Sequence, residues 1–323
     1  MISATICLLL ALQWGGIVFP WSDAKVYGCL IGFGLILLLF LVLQVRDKDR
    51  LVIHDTPCFP ITSPNNDRLS CTIPLSVFHS RTVRSACAFM LFNQVAMVSQ
   101  TYYWPIYFQS VKATSARASG LYLLPLIVSC TLCTLTAGWL ISRIGFYVPF
   151  MWLGAPVLAT GSGLYLLIGV HSPARQWVLY QVVSGIGYGI CTQIPLLSVQ
   201  VVLDPALVPT GCVMVLFFQC LGGALATSIS QNLFTDALLK KLREIEDVDG
   251  AAVVRAGAKD FRSIVGKEVL GRVIEAFNGA LKHVFVLACV SAGVALVMSL
   301  GMEWRTMPRK EKKEREGNGG ENA

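Results

Sequence analysis

Residues 147–170 read YVPFMWLGAPVLATGSGLYLLIGV, without one charged side chain. The surrounding run, residues 85–234, has only five charged side chains in 150 residues, and each falls in a short break between apolar stretches. A bilayer core of about 30 Å is crossed by roughly 20 apolar residues in a helix, which is about the length of these stretches. The run therefore predicts several membrane-spanning helices. The five charged residues are Lys112, Arg117, Arg143, Arg175 and Asp204.

The composition of the whole chain agrees with this prediction. Charged residues make up 14% of the 323 residues, against roughly 25% in a soluble domain, and the mean hydropathy is +0.63. We predict an all-α polytopic membrane protein with about eight transmembrane helices. The predicted spans are residues 2–19, 26–44, 85–108, 119–141, 147–170, 177–202, 210–234 and 282–302.

The connecting segments divide these spans into two groups, a two-helix hairpin and a block of six helices. A segment rich in Pro, Ser, Asn and Asp separates the two groups, and a long polar loop interrupts the block of six. The predicted division is a hairpin at 1–44, a cytoplasmic linker at 45–84 with an atypical insert at 51–72, a six-helix bundle at 85–304 with a polar loop at 235–281, and a basic disordered tail at 305–323.

The polar loop has a helical periodicity of its own. Apolar residues recur at helical spacing after Thr235, which we interpret as an N-cap, and again just before the last span. Amphipathic helices lying at the membrane interface would explain the pattern. The recurring residues are Leu238, Leu242 and Ile245, then Val269, Val273, Phe277 and Leu281.

The net charge of +7 is explained by membrane topology rather than by a nucleic-acid partner. The basic residues lie in loops and in the tail at 305–315, and their bias in the short loops and the tail favours cytoplasmic positions for both termini. On this topology the polar loop at 235–281 lies outside, where its mixed charge makes it a polar surface rather than a basic anchor.

We expect no cofactor and no metal. Most of the 11 cysteines lie inside spans, where thiols act as small apolar residues, and no disulfide framework is implied. The pair Cys130 and Cys133 has redox-motif spacing but lies in a lipid-embedded helix. The set His54, Cys58, Cys71 and His79 matches no common zinc finger.

The polar side chains within the spans are amides rather than charges. No Asp, Glu, Lys, Arg or His lies at mid-membrane depth, so a carboxylate that couples transport to protons is not expected in this chain. Asn93, Gln100 and Tyr107 are spaced by seven and share one helix face, as do Gln193 and Gln200. Such amides either bond neighbouring helices or line a water-facing cavity, and we favour the cavity for these sets.

The spacing of Gly185, Gly187 and Gly189 resembles the glycine motif of dinucleotide-binding proteins. Asp204 follows about 20 residues further on, where that motif has an acidic residue. That motif requires a strand, a tight turn and a solvent-exposed helix start, whereas these glycines lie in one apolar stretch followed by Pro195. We predict close helix packing and a flexible or kinked helix instead.

Taken together, these segments resemble the fourteen-span drug:proton antiporters of the major facilitator superfamily, in particular the fungal toxin-efflux branch. The segment Gly138-Trp-Leu-Ile-Ser-Arg143-Ile-Gly145 is similar to the superfamily loop G-x-L-x-D-R-x-G, with Ser142 in place of the acid. The other matching segments are residues 8–16, 102–109, 111–112, 119–120, 123–125, 209–211, 218–223 and 303–305, together with the glycine run and Gln193-x-Pro195.

This resemblance implies two six-helix bundles around a central cavity. The third and sixth spans of this chain would line the cavity, while the fifth and eighth would face lipid. The residues implied for the cavity are Asn93, Gln100, Tyr107, Gln193 and Gln200, and those implied for conformational change are Gly138, Arg143, Gly145, the glycine run and Pro195. The first bundle, where the family's proton-coupling residues are expected, is absent.

The resulting hypothesis is the carboxy-terminal part of a proton-coupled efflux transporter for small, mostly apolar compounds such as a fungal toxin. Its partners would be the substrate, the lipid bilayer and a missing amino-terminal bundle or a second copy, and its location the plasma membrane, with the vacuolar membrane as the alternative. A truncated, non-transporting remnant or a partner of a full-length transporter is the second hypothesis. An intramembrane enzyme is disfavoured. The start of the first span almost at Met1 and the insert at 51–72 suggest an incomplete gene product.

Overall fold

The computed structural model describes residues 6–8, 10–11, 14–15, 23–51, 77–78, 80–245 and 248–304, and it is helical throughout its long segments. The insert at 52–72, the tail at 305–323 and most of the first predicted span lie outside these residues. The helices are α1 (Ala24–Leu51), α2 (Arg81–Ser110), α3 (Ala116–Leu121), α4 (Leu124–Ile144), α5 (Val148–Leu164, followed by a 3-10 turn at Tyr165–Leu167), α6 (Ala174–Cys191), α7 (Ile194–Val202), α8 (Val208–Arg243), α9 (Gly250–Ile264) and α10 (Leu270–Ser299).

Five helical segments in the described part of the chain are long and apolar enough to cross a membrane. They correspond to the predicted fourth to eighth spans and confirm the prediction of an all-α polytopic membrane protein. The segments are Ala116–Ile144, Val148–Leu167, Ala174–Val202, Val208–Arg243 and Leu270–Ser299.

Two observed helices have bounds that differ from the predicted spans. Helix α2, the predicted third span, begins at Arg81 and has 30 residues, about 45 Å at 1.5 Å per residue. It is more polar than the five segments above. Helix α1 covers the predicted second span and continues to Leu51, so residues 45–50, which the sequence assigns to the linker, are helical.

In two of the membrane segments the helix is interrupted next to a proline. The helical hydrogen-bond pattern breaks just before Pro125, which lies in the first turn of α4, and just before Pro195, which lies in the first turn of α7, while Leu123 and Gln193 keep right-handed helical φ and ψ. Proline has no N–H to donate and is best accepted in the first turn of a helix, although α2 and α5 continue through Pro105 and Pro156. The interruption before Pro195 is the predicted kink.

The helices from α2 to α10 form one bundle. Helix α2 packs against α8 and α10, α6 packs against α4 and α5, and α5 packs against α10. A buried hydrogen bond of 2.8 Å between the hydroxyls of Ser99 and Ser230 joins α2 to α8.

The glycine run allows α6 to approach its neighbours closely. A Cβ added at Gly185 would overlap Ser129, and one at Gly189 would overlap the carbonyl of Cys130, both in α4. A Cβ at Gly187 would overlap the backbone of Leu158 in α5. This confirms the predicted close packing.

A separate hydrophobic cluster lies at one end of the bundle, and we call residues 235–245 and 248–280 the cap. Its core is formed where α8 and α10 extend past the bundle and meet α9. The rings of Phe261 in α9 and Phe277 in α10 stack with centroids 4.6 Å apart. The buried residues include Leu238, Leu242, Ile245, Val253, Phe261, Val273 and Phe277.

The cap corrects the prediction for the polar loop. Thr235 is not an N-cap, because α8 runs without a break through it to Arg243. The predicted apolar positions are indeed buried, but they pack against one another instead of lying separately on a lipid interface. The observed N-cap is Asp249, whose carboxylate accepts hydrogen bonds from the backbone N–H groups of Ala251 and Ala252.

Candidate functional site: the amide face

Three of the five predicted cavity residues, Asn93, Gln100 and Tyr107 of α2, lie inside the bundle with 0% exposure. The amide nitrogen of Gln100 donates to the Ser162 hydroxyl at 2.7 Å, and its oxygen accepts from the Ser184 hydroxyl at 2.6 Å. Gln100 thus ties α2 to α5 and α6.

The sequence predicts a water-facing amide at Gln100, and the structure shows the packing alternative there. A seven-residue repeat selects one face of a helix, but it does not tell whether that face meets water or a neighbouring helix. Tyr107 also bonds within the protein, since its hydroxyl donates to the carbonyl of Gly169 at 2.9 Å. The Asn93 amide has no hydrogen-bond partner within the protein.

The other two predicted cavity residues, Gln193 and Gln200, are exposed on the bundle surface. Gln193 lies at the break between α6 and α7, and Gln200 lies in α7. The exposed side of α4 is different, since Leu132, Leu135 and Trp139 are 57%, 66% and 57% exposed. A hydrocarbon environment accepts such apolar side chains, whereas an unpaired amide there costs several kcal/mol, about 4–8 on a cyclohexane scale. The two exposed glutamines thus differ from the apolar exposed side of α4.

The sequence does not single out a further hydrogen bond between α6 and α2. The Tyr188 hydroxyl of α6 donates to the Gln94 amide oxygen of α2 at 3.1 Å. Gln94 falls outside the seven-residue repeat, and the only signal for Tyr188 is a hydroxyl-bearing ring inside a glycine run. We call the exposed surface of the α6–α7 segment that carries Gln193 and Gln200 the amide face.

The loop motif lies at the end of α4. Gly138 is exposed with open space where a Cβ would stand, and Gly145 ends the helix with φ of 81°. Arg143 lies in the last turn, where a cation is favourable to the helix dipole, and its guanidinium lies 4.6 Å from the centroid of the Trp139 ring. Its implied role in conformational change stays a prediction.

At the other end of the bundle, two cations bind backbone carbonyls, one set in the loop between α5 and α6 and one at the end of α2. The Lys112 ammonium donates to the carbonyls of Val170 and Ser172, both at 2.8 Å, and partial burial lowers the pKa of Lys112. Arg262 of the cap donates to the carbonyl of Ser110, the last residue of α2, at 2.7 Å. The cap is thereby attached to the end of a predicted cavity-lining helix.

Ionisable side chains are scarce in the membrane part of the described residues. Ionisable Asp, Glu, Lys, Arg and His side chains of the described bundle helices lie in their terminal turns or in and next to the cap. Within the same residues, no group of three or more His, Cys, Asp or Glu side chains could hold a metal ion. The chemistry available to the amide face is hydrogen bonding by neutral groups.

No family model matches the chain. Individual transporters do match it over nearly all of its length. The chain is 53% identical over 313 residues to the MFS-type transporter ltbE of Aspergillus luteorubrus, a match that covers 97% of this chain and 54% of the relative. The chain is related to the MFS-type transporters.

Other superfamily members show the same pattern. The MFS-type transporter astH of Aspergillus oryzae is 33% identical over 93% of this chain and 50% of its own length. The efflux pump aflT of Aspergillus parasiticus is 32% identical over 94% of this chain and 55% of its own length. The chain thus spans about half the length of the curated relatives it matches, and the predicted resemblance is confirmed.

The major facilitator fold is also found by comparison with solved structures. A bacterial homologue of the human lysosomal transporter Spinster superposes on 94% of this chain and 65% of its own, with a TM-score of 0.53 and 13% identity. At that identity the likeness shows the fold alone. The apolar spans and the transporter relatives show that the chain is an integral membrane protein.

Proposed function

We propose that this chain supplies one helical bundle of a proton-coupled efflux pump that exports small, mostly apolar compounds such as a fungal secondary metabolite or toxin. The observation that carries the proposal is the amide face, a polar surface on a bundle whose α4 side exposes apolar residues. The relative aflT is named an efflux pump, which supports efflux as the activity. Neutral amides suit a mostly apolar substrate with a few hydrogen-bonding groups, because they provide donors and acceptors without a fixed charge.

This function requires a second helical bundle. One bundle cannot alternately close a cavity on both sides of a membrane, so the amide face needs an opposing bundle. The amino-terminal bundle of a relative is the proposed partner, and a second copy of this chain is the alternative. The opposing bundle would also supply the proton-binding carboxylate, since the described bundle helices have no ionisable residue at mid-depth.

The proposed site of action is the plasma membrane, with the vacuolar membrane as the alternative and both termini in the cytoplasm. The basic residues near α2 and after α10 support this orientation, which places the cap outside. A protease site and tag placed after Ala323 should be protected in sealed right-side-out vesicles. Cleavage of that tag from the outer side without detergent would contradict the orientation.

Efflux from a pump-deficient yeast tests the proposed activity. The chain would be fused behind the amino-terminal half of the ltbE transporter, and export would be measured with and without a protonophore. We expect protonophore-sensitive export from the fusion and none from the 323-residue chain alone. Export by the chain alone would contradict the need for an amino-terminal bundle and would favour a homodimer. A fusion that folds but exports nothing would favour the second hypothesis, a non-transporting remnant.

Two amide variants of the fusion separate a cavity residue from a packing residue. Gln193→Ala should reduce export roughly 2- to 10-fold at unchanged protein level, the effect of one hydrogen bond of about 0.5–1.5 kcal/mol. Gln100→Ala should lower folded protein and export together, because it leaves Ser162 and Ser184 without their partner. Gln176→Ala, at an exposed amide in the first turn of α6, is the matched control and should change neither.

A further inference from the structure

The segment that follows α10 is bound to the end of the bundle where α2 and α5 begin, which we call the inner end. The backbone N–H of Glu303 donates to the Thr82 hydroxyl of α2 at 3.4 Å, and its carbonyl accepts from the Tyr147 hydroxyl at 2.8 Å. Gly301 lies so close to Ser85 of α2 that an added Cβ would overlap the serine hydroxyl. These contacts fix the position from which the chain continues into its basic tail.

Two exposed indole rings lie side by side at the inner end. Trp304 is 57% exposed and Trp152 of α5 is 44% exposed, and their ring centroids are 5.7 Å apart. The ring of Phe146 lies 6.3 Å from that of Trp304. An indole combines a large apolar ring with one polar N–H, so it suits the level where hydrocarbon gives way to lipid headgroups. The pair therefore indicates that the headgroups lie at this level.

Two exposed arginines flank the same contacts. Arg81 precedes Thr82, which bonds to Glu303, and Arg84 precedes Ser85, which meets Gly301. Neither arginine forms an ion pair with another described residue. A cation at the start of a helix is unfavourable to the helix dipole, so helix stability does not account for these two charges. They provide a positive surface beside the indoles that an external anion can bind.

The sequence adds further positive charge directly after Trp304. Residues 305–315 contain six basic and two acidic side chains. The basic residues are Arg305, Arg309, Lys310, Lys312, Lys313 and Arg315. Basic clusters immediately next to a membrane span are attracted to anionic lipid headgroups.

We propose that the inner end is a binding surface for anionic phospholipid headgroups. Trp152 and Trp304 lie among the headgroups, while Arg81, Arg84 and the tail at 305–315 bind the phosphates. A guanidinium group matches the geometry of a phosphate and donates charge-assisted hydrogen bonds to it. Exposed indoles beside the cations favour a lipid over a soluble anion. The inference does not depend on the proposed transport activity, and the proposed orientation only names the leaflet as the cytoplasmic one.

Trypsin digestion of the full chain in lipid nanodiscs, which leave both faces accessible, tests the proposal. Discs of phosphatidylcholine alone are compared with discs that also contain phosphatidylserine. Release of tail peptides from 305–315 should be severalfold slower with phosphatidylserine, and high salt should remove the difference because it screens exposed charges. Cleavage after Lys267, exposed between α9 and α10, is the internal control and should not slow. Equal release in both lipids, or equal slowing at Lys267, would overturn the proposal.

Inorganic phosphate added to the phosphatidylcholine discs distinguishes a lipid headgroup from a free anion. It should leave the release of the tail unchanged. Slower release with phosphate alone would overturn the proposal, because the surface would then bind a soluble ion without the membrane.

A substitution tests the contribution of the indoles. Trp304→Ala should reduce the effect of phosphatidylserine severalfold, whereas Leu300→Ala, at a 58% exposed apolar position of the same segment, should retain it. An effect of the same size in both variants would contradict the role of the indoles. If Trp304→Ala does not fold, the lipid comparison in the unaltered chain still decides.

Discussion

The membrane part of the bundle and the cap are both helical and both have buried apolar clusters, but the bundle adds close glycine contacts and a buried amide. In the bundle, α6 meets its neighbours through Gly185, Gly187 and Gly189 and through the hydrogen bonds of Gln100. In the cap, α8, α9 and α10 meet through large apolar side chains such as Phe261 and Phe277.

The difference follows from the two solvents. Apolar side chains gain nothing by leaving lipid, so helices in a membrane associate through close van der Waals contact and hydrogen bonds. In water, burial of apolar area stabilises by roughly 25 cal/mol per Å². The same kind of substitution should therefore have different effects in the two regions, and the next predictions test this.

The largest expected effect is at Gly187 in the bundle. Gly187→Leu places a side chain where the backbone of Leu158 already lies, and a backbone cannot move aside as a side chain can. Because this backbone has to shift, the packing of the whole bundle is affected, and we expect loss of the monodisperse folded peak in detergent gel filtration.

Gly138→Leu is the matched control, because open space surrounds the position where its Cβ would stand. It should retain the folded peak. Equal behaviour of the two variants would show that close glycine contacts do not hold the bundle together.

A smaller and local effect is expected at Phe261 in the cap. Phe261→Ala removes a fully buried ring, a change that costs about 3–5 kcal/mol in a packed core. Because the cap has its own hydrophobic cluster, hydrogen exchange should accelerate at 235–245 and 270–280 but not in α4 or α6. Ile264→Ala, at an exposed position of the same helix, is the control.

Faster exchange throughout α4 and α6 in Phe261→Ala would contradict the separation of the two regions. It would show instead that the cap holds the bundle together, for example through the bond from Arg262 to the end of α2.

The sequence predicts the membrane fold well because a bilayer imposes a length and a polarity on each helix that can be read directly. It also predicts the close packing at Gly187 and the break before Pro195, since both depend on the backbone properties of single residue types. These features require no knowledge of which helices are neighbours.

The role of Gln100 and the fold of the cap depend on neighbours, and there the predictions are wrong. An amide stripe looks the same in sequence whether serines or water lie opposite. The spacing of Leu238 and Leu242 marks an apolar stripe, but it does not tell whether lipid or Phe277 covers that stripe. Thr235 suits an N-cap, yet threonine is also accepted within a helix, and here α8 continues through it.

The central claim is that the amide face lines a water-filled cavity between two bundles, and cysteine labelling of the fused transporter tests it most directly. In a background without native cysteines, Gln193→Cys and Gln200→Cys should react with a charged, membrane-impermeant thiol reagent. Leu132→Cys and Leu135→Cys on the exposed side of α4 should not, because lipid covers them. Unreactive cysteines at 193 and 200, or equal reactivity at all four positions, would contradict the account.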